Sequence, residues 1–246
     1  MDQEKMEQLE QLRRLVREKQ RIVFFGGAGV STESGLKDFR SVDGLYREKY
    51  QYRPEVMLSR SFYDTHPEEF FRFYRDKLLV TGVRPSRAHL ALARLERAGK
   101  LLAVVTQNID GLHQAAGSRE VYELHGSIER NYCQKCGKFY TKEEIMTMPL
   151  VPECTCGGTI KPDVVLYEES LDERLLRRSV EVISQSDLLI VGGTSLTVWP
   201  AAGLLEYFNG DALVIINRTS TAYGGKVDLA IYESIGTALE YDVQDL

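Results

Sequence analysis

The stretch that most constrains the fold is residues 22–40, IVFFGGAGVSTESGLKDFR. Its first four residues form a short apolar run, which is typical of a strand buried in a parallel sheet. Glycines at positions 26, 27 and 29 follow, and without a Cβ the backbone can turn sharply there and approach a ligand closely. Ser31 and Thr32 add hydroxyls beside free amide groups, an arrangement that can hold a diphosphate. Thr32 stands where the third glycine of the usual dinucleotide motif would fall, so a purely structural turn stays open on this stretch alone.

The rest of the chain alternates apolar strands with amphipathic helices. Further strands are predicted at residues 101–106, 164–166, 187–191, 212–217 and 228–231. Helices are predicted within residues 1–20 and at residues 86–97, 172–185 and 201–208, with Ser86 and Asp172 as N-caps and Gly99 and Gly210 as stop signals. This alternation predicts a parallel sheet covered by helices on both faces, with ligands beyond the carboxyl ends of its strands.

The composition is that of a globular protein with no general attraction to polyanions. The chain has 246 residues, of which 43% are hydrophobic and 27% charged, with a formal net charge of −5. That charge disfavours general binding to nucleic acid or anionic membranes. No apolar run approaches the roughly 20 residues that a membrane span needs. The densely charged first 20 residues do not fit a secretion signal, and we expect a cytoplasmic protein.

Two segments depart from the alternation of strands and helices. Residues 42–79 interleave Tyr, Phe and Arg without a clear strand, which predicts a small helical insert. Residues 128–161 contain all four cysteines, as a Cys133-Gln-Lys-Cys136 pair and a Cys154-Thr-Cys156 pair. Four thiolates in two close pairs suit a tetrahedral zinc ion. Because four cysteines fill the coordination shell, the metal would be structural.

Other interpretations of the cysteine segment are weaker. Two disulfides are disfavoured in a chain without an export signal, and four unrelated thiols stay an alternative to zinc. A nucleic-acid-binding ribbon would need a basic face, whereas lysines and glutamates are mixed throughout the segment. We therefore expect no specific nucleic-acid partner.

Polar residues follow the strand predicted at 101–106. Gln107, Asn108 and Asp110 leave the sheet at the edge that also carries the glycine-rich turn. His125 leads directly into the cysteine segment, where two domains should meet. A lone histidine is more often structural than catalytic. A polar cluster beside a cofactor loop nevertheless adds weight to a catalytic role for His125.

Assembled in order, these motifs resemble those of the sirtuins, the NAD-dependent protein-lysine deacylases, and in particular their bacterial branch. The resemblance covers nearly the whole chain. It rests on GAGVS at 27–31, DFR at 38–40, TQNIDGLH at 106–113, His125-Gly126, the four cysteines, KPDVV at 161–165, GTS at 193–195 and Asn217.

The resemblance implies a fold and its division into domains. An α/β Rossmann-like NAD-binding domain would comprise residues 1–41, 80–127 and 162–246, with a parallel sheet and helices on both faces. A small domain would combine the helical insert at 42–79 with the zinc-binding module at 128–161.

The resemblance also implies the reaction. The carbonyl oxygen of an acyl-lysine attacks C1′ of the nicotinamide ribose, which releases nicotinamide and forms an alkylimidate. His125 acts as general base on a ribose hydroxyl, a task that suits a side-chain type titrating near neutral pH. Water then releases deacylated lysine and O-acyl-ADP-ribose. With acetyl as the expected acyl group, the product is O-acetyl-ADP-ribose.

Individual roles are likewise carried over from the resemblance. His125 and Asn108 are the expected catalytic residues. NAD as co-substrate is expected to contact Ala28, Gly29, Thr32, Phe39, Arg40, Gln107, Asn108, Ile109, Asp110, His125, Thr194, Ser195, Asn217 and Ile235. One structural Zn²⁺ is expected on Cys133, Cys136, Cys154 and Cys156. An acetylated protein or peptide would add a strand between residues 165–168 and 196–199, with Val164, Val165, Tyr167 and Val198 lining the acyl-lysine tunnel.

Three departures from the family pattern bear on ligand binding. Leu36-Lys37 stands where Ile-Pro is usual, which places a charge near NAD and frees the backbone of the cofactor loop. Glu168 replaces a common glycine at the rim of the peptide groove, where it could favour basic residues in substrates. Residues 71–74, Phe-Arg-Phe-Tyr, stand in place of the Tyr-x-x-Arg pair that grips succinyl groups, so acetyl is expected.

Other activities remain as alternatives at this point. Mono-ADP-ribosyl transfer, NAD hydrolysis or removal of other acyl chains could use the same scaffold. A non-catalytic NAD-binding or zinc-ribbon module is disfavoured by the joint presence of Asn108, Asp110 and His125. A hydride-transferring dehydrogenase is disfavoured because no acidic residue lies at the position expected for ribose recognition. We expect no membrane partner, and a monomer.

Overall fold

The computed structural model describes residues 3–38, 44, 51–79, 81–221 and 223–243. The strands are β1 Ile22–Gly26, β2 Leu101–Thr106, β3 Val121–Glu123, β4 Gly126–Cys133, β5 Phe139–Thr141, β6 Ile160–Val164, β7 Leu188–Gly192, β8 Ala212–Ile216 and β9 Leu229–Ile231. The helices are α1 Gln3–Glu18, α2 Pro54–Met57, α3 Arg60–Thr65, α4 Pro67–Phe73, α5 Arg87–Arg97, α6 Leu112–Ala115, α7 Lys142–Thr147, α8 Glu173–Gln185 and α9 Ile235–Val243. Among the described residues, none of these helices combines the length and the apolar character required to span a bilayer.

The main sheet has six parallel strands in the order β3-β2-β1-β7-β8-β9. The glycine-rich turn therefore follows a central strand, since β1 pairs with β2 on one side and β7 on the other. From β1 the chain adds β2 and β3 on one side, and β7, β8 and β9 are added on the other side. The point where the strand order changes side is a switch point, and ligands of open parallel sheets bind at such points. The strand predictions at 22–25, 101–106, 187–191, 212–217 and 228–231 are confirmed within one residue at each end.

Helices cover both faces of this sheet, as the alternation predicted. Residues of β1 alternate between the two cores because successive side chains of a strand point to opposite faces. Phe24 packs in the core formed with α1, α5 and α9, whereas Val23 and Phe25 pack in the core formed with α8 and the 3₁₀ helix Ala201–Tyr207. All five residues of β1 are buried.

The predicted N-caps are present. The Ser86 hydroxyl accepts from His89 N at the start of α5, and the Asp172 carboxylate accepts from Arg174 N and Leu175 N at the start of α8. Gly99, just after α5, has a φ of +74°, the left-handed conformation that ends helices.

A smaller unit is built from the helical insert and a three-stranded sheet of order β5-β4-β6. The described part of the insert forms α2, α3, α4 and a π-helical turn at Tyr74–Leu78, and its buried aromatic residues pack against Ile128 of β4 and Val164 of β6. The prediction that 164–166 belongs to the parallel sheet is wrong. Val164 instead ends β6, which pairs antiparallel with β4, because an apolar run of three residues does not specify its partner strand. The predicted domain boundary between 161 and 162 falls inside β6, and the division into domains stays a prediction.

Candidate active site

Two glycine-containing loops contact each other backbone to backbone beyond the ends of β1 and β7. Gly29 N donates to Gly193 O at 2.8 Å, and Gly27 N donates to Gly192 O at 3.2 Å. A Cβ on Gly29 would lie 2.6 Å from Gly193 Cα, closer than real side chains approach. This close contact therefore requires glycine at position 29. The contact also places both loops at the same edge of the sheet.

The expected diphosphate residues lie on the first of these loops. Ala28 and Gly29 belong to the 3₁₀ turn Ala28–Val30, Thr32 begins the next turn, and all three are half-buried. The Thr32 hydroxyl donates to Gly29 O at 2.9 Å, which fixes its rotamer and leaves its lone pairs for a ligand. Phe39 and Arg40 lie outside the described residues.

Ser31 joins this loop to the polar residues that follow β2. Its hydroxyl donates to Asp110 Oδ2 at 2.7 Å and accepts from Asn108 Nδ2 at 3.1 Å. The other carboxylate oxygen of Asp110 accepts from Leu112 N at 3.0 Å. Ser31 is 2% exposed and Asn108 is 8% exposed, so these bonds form away from bulk water. The sequence singles out the Ser31 hydroxyl as a group that can hold a diphosphate, whereas in the structure that hydroxyl bonds to Asp110 and Asn108.

Two neutral histidines close the buried side of this cluster. His89 Nε2 lies 3.5 Å from Ser31 Oγ, and its Nδ1 accepts from Ser86 N at 3.1 Å. His113 packs edge-on against the His89 ring at 4.6 Å. Burial lowers the pKa of His89 to about 4 and lowers the pKa of His113 well below its usual value. Both rings are thus uncharged at neutral pH, and Asp110 meets no cation from them.

His125 lies between the main sheet and the smaller unit, one residue before β4. Its Nδ1 is 3.0 Å from Gln107 O, and because a carbonyl oxygen only accepts, Nδ1 carries the proton. Nε2 is then the basic nitrogen of the ring. The backbone is held as well, since Val165 N donates to His125 O at 3.0 Å, and Ile128 N to Ile109 O at 2.9 Å. His125 is half-buried, which restricts its motion without closing it to a substrate.

The loop after β7 is connected to His125 through Gln107, and to the residue that follows β8 through Thr194. Gln107 Nε2 donates to Thr194 Oγ1 at 3.0 Å, and Asn217 Nδ2 donates to Thr194 O at 3.3 Å. Ser195 is exposed beside them. Ile235 is buried at the start of α9, and its Cδ1 would lie 3.1 Å from a Cβ on Gly192. A cavity of about 160 Å³ opens next to Asn217, bordered by residues 219–221, Tyr223 and Tyr232.

The expected acyl-lysine residues lie at the end of β6 and on the segments that follow β6 and β7. Val164 is buried and Val165 half-buried beside His125, whereas Tyr167 is 38% exposed. Val198 is half-buried on the second segment, next to Trp199, which is 67% exposed. Val164 and Val165 are thus joined to His125, and Val198 belongs to the loop that carries Thr194.

The four cysteines converge as predicted, in the smaller unit. Their sulfurs all lie within 4.8 Å of one another, with Cys133 to Cys156 at 3.5 Å and Cys136 to Cys154 at 3.7 Å. These separations are too long for disulfide bonds and match the about 3.8 Å edge of a tetrahedral zinc–thiolate site. The Cys156 amide and the Tyr140 hydroxyl donate to Cys154 and lower its pKa to about 6, whereas hydrogen bonds with the Cys133 and Cys136 sulfurs raise the pKa of Cys156 to about 12. A bound metal would displace the remaining thiol protons.

The chain is similar to known proteins over nearly its full length. The family model described as "Sir2 family" matches residues 27–200. An "NAD-dependent protein deacetylase" of Clostridium acetobutylicum is 55% identical over 239 residues, covering 96% of this chain and 98% of that protein. A solved structure of Sir2 with a deacetylated p53 peptide and 3′-O-acetyl-ADP-ribose has a TM-score of 0.89 at 36% identity, covering 96% of this chain and 98% of the other. A Sir2–p53 peptide–NAD⁺ structure has a TM-score of 0.85 at 36% identity, with the same coverage.

Proposed function

The chain belongs to the Sir2 family and is an NAD-dependent protein deacetylase, and from this premise we propose the role of each residue at the edge of its sheet. The substrates are acetyl-lysine side chains of proteins, and the products are nicotinamide, deacetylated lysine and O-acetyl-ADP-ribose. The observation that carries the assignment is the bond from His125 Nδ1 to Gln107 O. It places a proton on Nδ1, so that Nε2 is the ring nitrogen that can take up a proton from a substrate.

Bound NAD supplies an electrophilic ribose carbon with a cationic leaving group. Ala28, Gly29 and Thr32 form the turn that faces the diphosphate, where the Thr32 hydroxyl oxygen can accept or share a hydrogen bond and the Gly29 amide stays bonded to Gly193 O. Thr194, Ser195, Asn217 and Ile235 hold the adenosine half, next to the cavity beside Asn217. Phe39 and Arg40 are proposed from sequence alone, as a cover for the ribose and a partner for the phosphates.

The nicotinamide half is oriented by the cluster around Ser31. Ser31 and the Leu112 amide each donate to one oxygen of Asp110, which fixes the plane of that carboxylate. Asp110 then accepts from the carboxamide N–H, while Gln107, Asn108 and Ile109 shape the ribose pocket. Asn108 is placed to orient the reacting groups because its amide is itself held by Ser31.

His125 acts as general base on a ribose hydroxyl. The fixed tautomer presents Nε2 as the proton acceptor, and the proton taken up by the ring is stabilised by the Gln107 carbonyl on its other side. The half-buried setting limits competing water, which favours transfer from the oriented hydroxyl.

The peptide adds a strand between residues 165–168 and 196–199, with the acetyl-lysine between Val164, Val165, Tyr167 and Val198. Acetyl is favoured over acidic acyl groups by the geometry of the insert. Phe71 and Tyr74 are buried, and Arg75 donates to the carbonyl oxygens of Ile145 and Met148. Arg75 is thus committed to the end of α7, so it does not serve as a partner for an acyl carboxylate.

The zinc ion on Cys133, Cys136, Cys154 and Cys156 holds the smaller unit together and takes no part in the reaction. A monomeric state and a cytoplasmic location also belong to the proposal. The sequence composition supports the cytoplasmic location, and the monomeric state stays an expectation.

The test follows an acetyl-lysine peptide and NAD together by mass spectrometry, with wild-type protein, His125→Ala and the control His66→Ala. His66 is an exposed histidine between α3 and α4 and is not one of the proposed site residues. We expect NAD-dependent loss of acetyl with matching O-acetyl-ADP-ribose in the wild type and the control, and a loss of at least about a hundredfold in His125→Ala. Consumption of NAD without deacetylation would instead indicate NAD hydrolysis or ADP-ribosyl transfer, and turnover of succinyl over acetyl peptide would refute the acyl preference.

A further inference from the structure

The residue at the rim of the proposed peptide groove has an unusual backbone conformation. Glu168 has a φ of +77°, and Leu196 is the other non-glycine residue with a positive φ in the part of the chain that the structure describes. A residue with a Cβ pays roughly 1–2 kcal/mol for this conformation, whereas glycine adopts it freely. Retaining glutamate here requires an interaction that offsets this cost.

That interaction is a two-point contact with the helical insert. Glu168 Oε2 accepts from Ser61 N at 2.8 Å, and Oε1 accepts from the Ser61 hydroxyl at 2.9 Å. Ser61 lies in the first turn of α3, where amide groups lack partners within the helix. A charged acceptor there is favoured, and hydrogen bonds to ionised groups are stronger than neutral ones.

The backbone beside Glu168 is bonded to the same part of the insert. Tyr167 N donates to Leu58 O at 2.9 Å, and Arg60 N donates to Tyr167 O at 3.0 Å. Glu169, the next residue, accepts from Arg60 Nη1 at 3.2 Å. One edge of the 165–168 segment is therefore fixed to the insert, and Glu168 is the side chain that fixes its last residue.

We infer that the Glu168–Ser61 contact is a latch that pre-organises the peptide-binding segment, and that Glu168 is a positioning residue for the peptide substrate. The inference rests on the proposed function, because it takes residues 165–168 as one wall of the peptide groove. A segment already ordered before binding loses less conformational entropy when the peptide adds its strand, so the latch acts on peptide affinity. Among the described residues, the hydrogen bonds of the Glu168 side chain reach Ser61 and neither His125 nor a proposed NAD residue.

The latch gives Glu168 a different role from selection of basic substrate residues. Both carboxylate oxygens are engaged with Ser61, so its geometry is set by the insert and not by a substrate side chain. Glu168→Gln separates the two roles. The glutamine carbonyl accepts from Ser61 N and its amide donates to the Ser61 hydroxyl, so the latch persists while the charge is lost.

Trp199 provides a direct measure of peptide binding. It is the only tryptophan in the sequence, is 67% exposed, and lies on the other segment of the proposed groove. Its fluorescence can be titrated with an acetyl-lysine peptide without NAD, and KM values for the peptide and for NAD are then measured separately. The variants are Glu168→Gly, Glu168→Gln and Ser61→Ala, with Ser170→Ala as a control serine near the same segment but outside the latch.

We expect Glu168→Gly to raise the peptide Kd and KM by about five- to tenfold, as loss of two hydrogen bonds implies. Its KM for NAD should change by less than about twofold, and its Tm should not fall, since glycine relieves the positive φ. Glu168→Gln should stay within about twofold of the wild type, Ser61→Ala should show a smaller increase than Glu168→Gly, and Ser170→Ala should show none.

Unchanged peptide Kd and KM in Glu168→Gly would overturn the latch. Equal losses in Glu168→Gln and Glu168→Gly would overturn it too, and would indicate that the charge is what matters. The proposed deacetylase is tested separately by turnover of the wild type. If the wild type deacetylates the peptide and the three variants bind it with unchanged affinity, only the inference is refuted. If the wild type binds no acetyl-lysine peptide, both the inference and the proposed function are refuted.

Discussion

Gly126 sets the position of His125, and Gly126→Ala is the substitution that tests this most directly. Gly126 follows His125, begins β4 and has a φ of +78°. A Cβ there would lie 1.9 Å from the backbone oxygen of Asp163 on β6. Contacts below 3.0 Å are essentially absent from real structures, so the two strands must separate by about 1 Å, and a backbone atom cannot rotate away as a side chain can.

The loss of stability in Gly126→Ala has two parts, the left-handed backbone conformation and the steric overlap, and a second glycine of the chain allows them to be measured separately. Gly99 has nearly the same conformation, with a φ of +74°, but nothing lies within 4 Å of a Cβ there. Gly99→Ala therefore measures the left-handed conformation alone, about 1–2 kcal/mol. Gly126→Ala adds overpacking of about 1–3 kcal/mol. At roughly 2–4 °C per kcal/mol for a chain of this size, the expected falls in Tm are about 2–8 °C for Gly99→Ala and about 4–20 °C for Gly126→Ala.

Activity should separate the two variants further. A displacement of about 1 Å at a catalytic group can cost about a hundredfold in rate, so we expect kcat/KM for deacetylation to fall by that factor in Gly126→Ala. Gly99→Ala should retain kcat/KM within about twofold. Calorimetry measures the Tm of each variant. Turnover is measured by mass spectrometry at a temperature where each variant is folded. Equal Tm and equal activity for the two variants would show that the contact with Asp163 does not position His125.

Three further predictions concern metal, charge and pH. Cys154→Ser should lower zinc content well below one ion per chain by elemental analysis and destabilise the smaller unit, while a full zinc complement would refute the four-cysteine site. The buried Lys161 ammonium donates to Val164 O at 2.8 Å and to the Glu169 carboxylate. Glu169→Gln removes this carboxylate and should lower the free energy of unfolding, measured in urea, by about 2–3 kcal/mol. The double variant Lys161→Met/Glu169→Gln should lose less, because no buried charge is left unpaired. His89 has a folded-state pKa of about 4 against an ordinary 6.5, so the unfolded chain binds the additional proton between these values and stability falls as pH falls through that window. At pH 5 the loss from His89 should be about 2 kcal/mol, and a His89→Gln variant whose pH dependence matches the wild type would contradict this.

Local patterns in the sequence determined most of the main sheet. Strands such as residues 101–106 were predicted to the residue because a run of apolar, β-branched side chains between polar turns has few alternatives. The caps at Ser86 and Asp172 were equally local, since an N-cap needs only its own side chain and the next three amides. The paired cysteines identified a metal site because four soft ligands at such spacing have one common use.

Long-range geometry decided the rest. Residues 164–166 have an apolar pattern that fits either sheet, and only the antiparallel pairing with β4 assigns Val164 to the smaller unit. Ser31 acquires its role from Asn108 and Asp110, which are 77 and 79 residues away in sequence. The His125 tautomer follows from Gln107 O, and the conformation of Glu168 is explained only by Ser61, 107 residues earlier. Sequence patterns report what each segment prefers by itself, whereas hydrogen-bond partners brought together by folding fix the tautomers, rotamers and strained backbone on which the proposed chemistry depends.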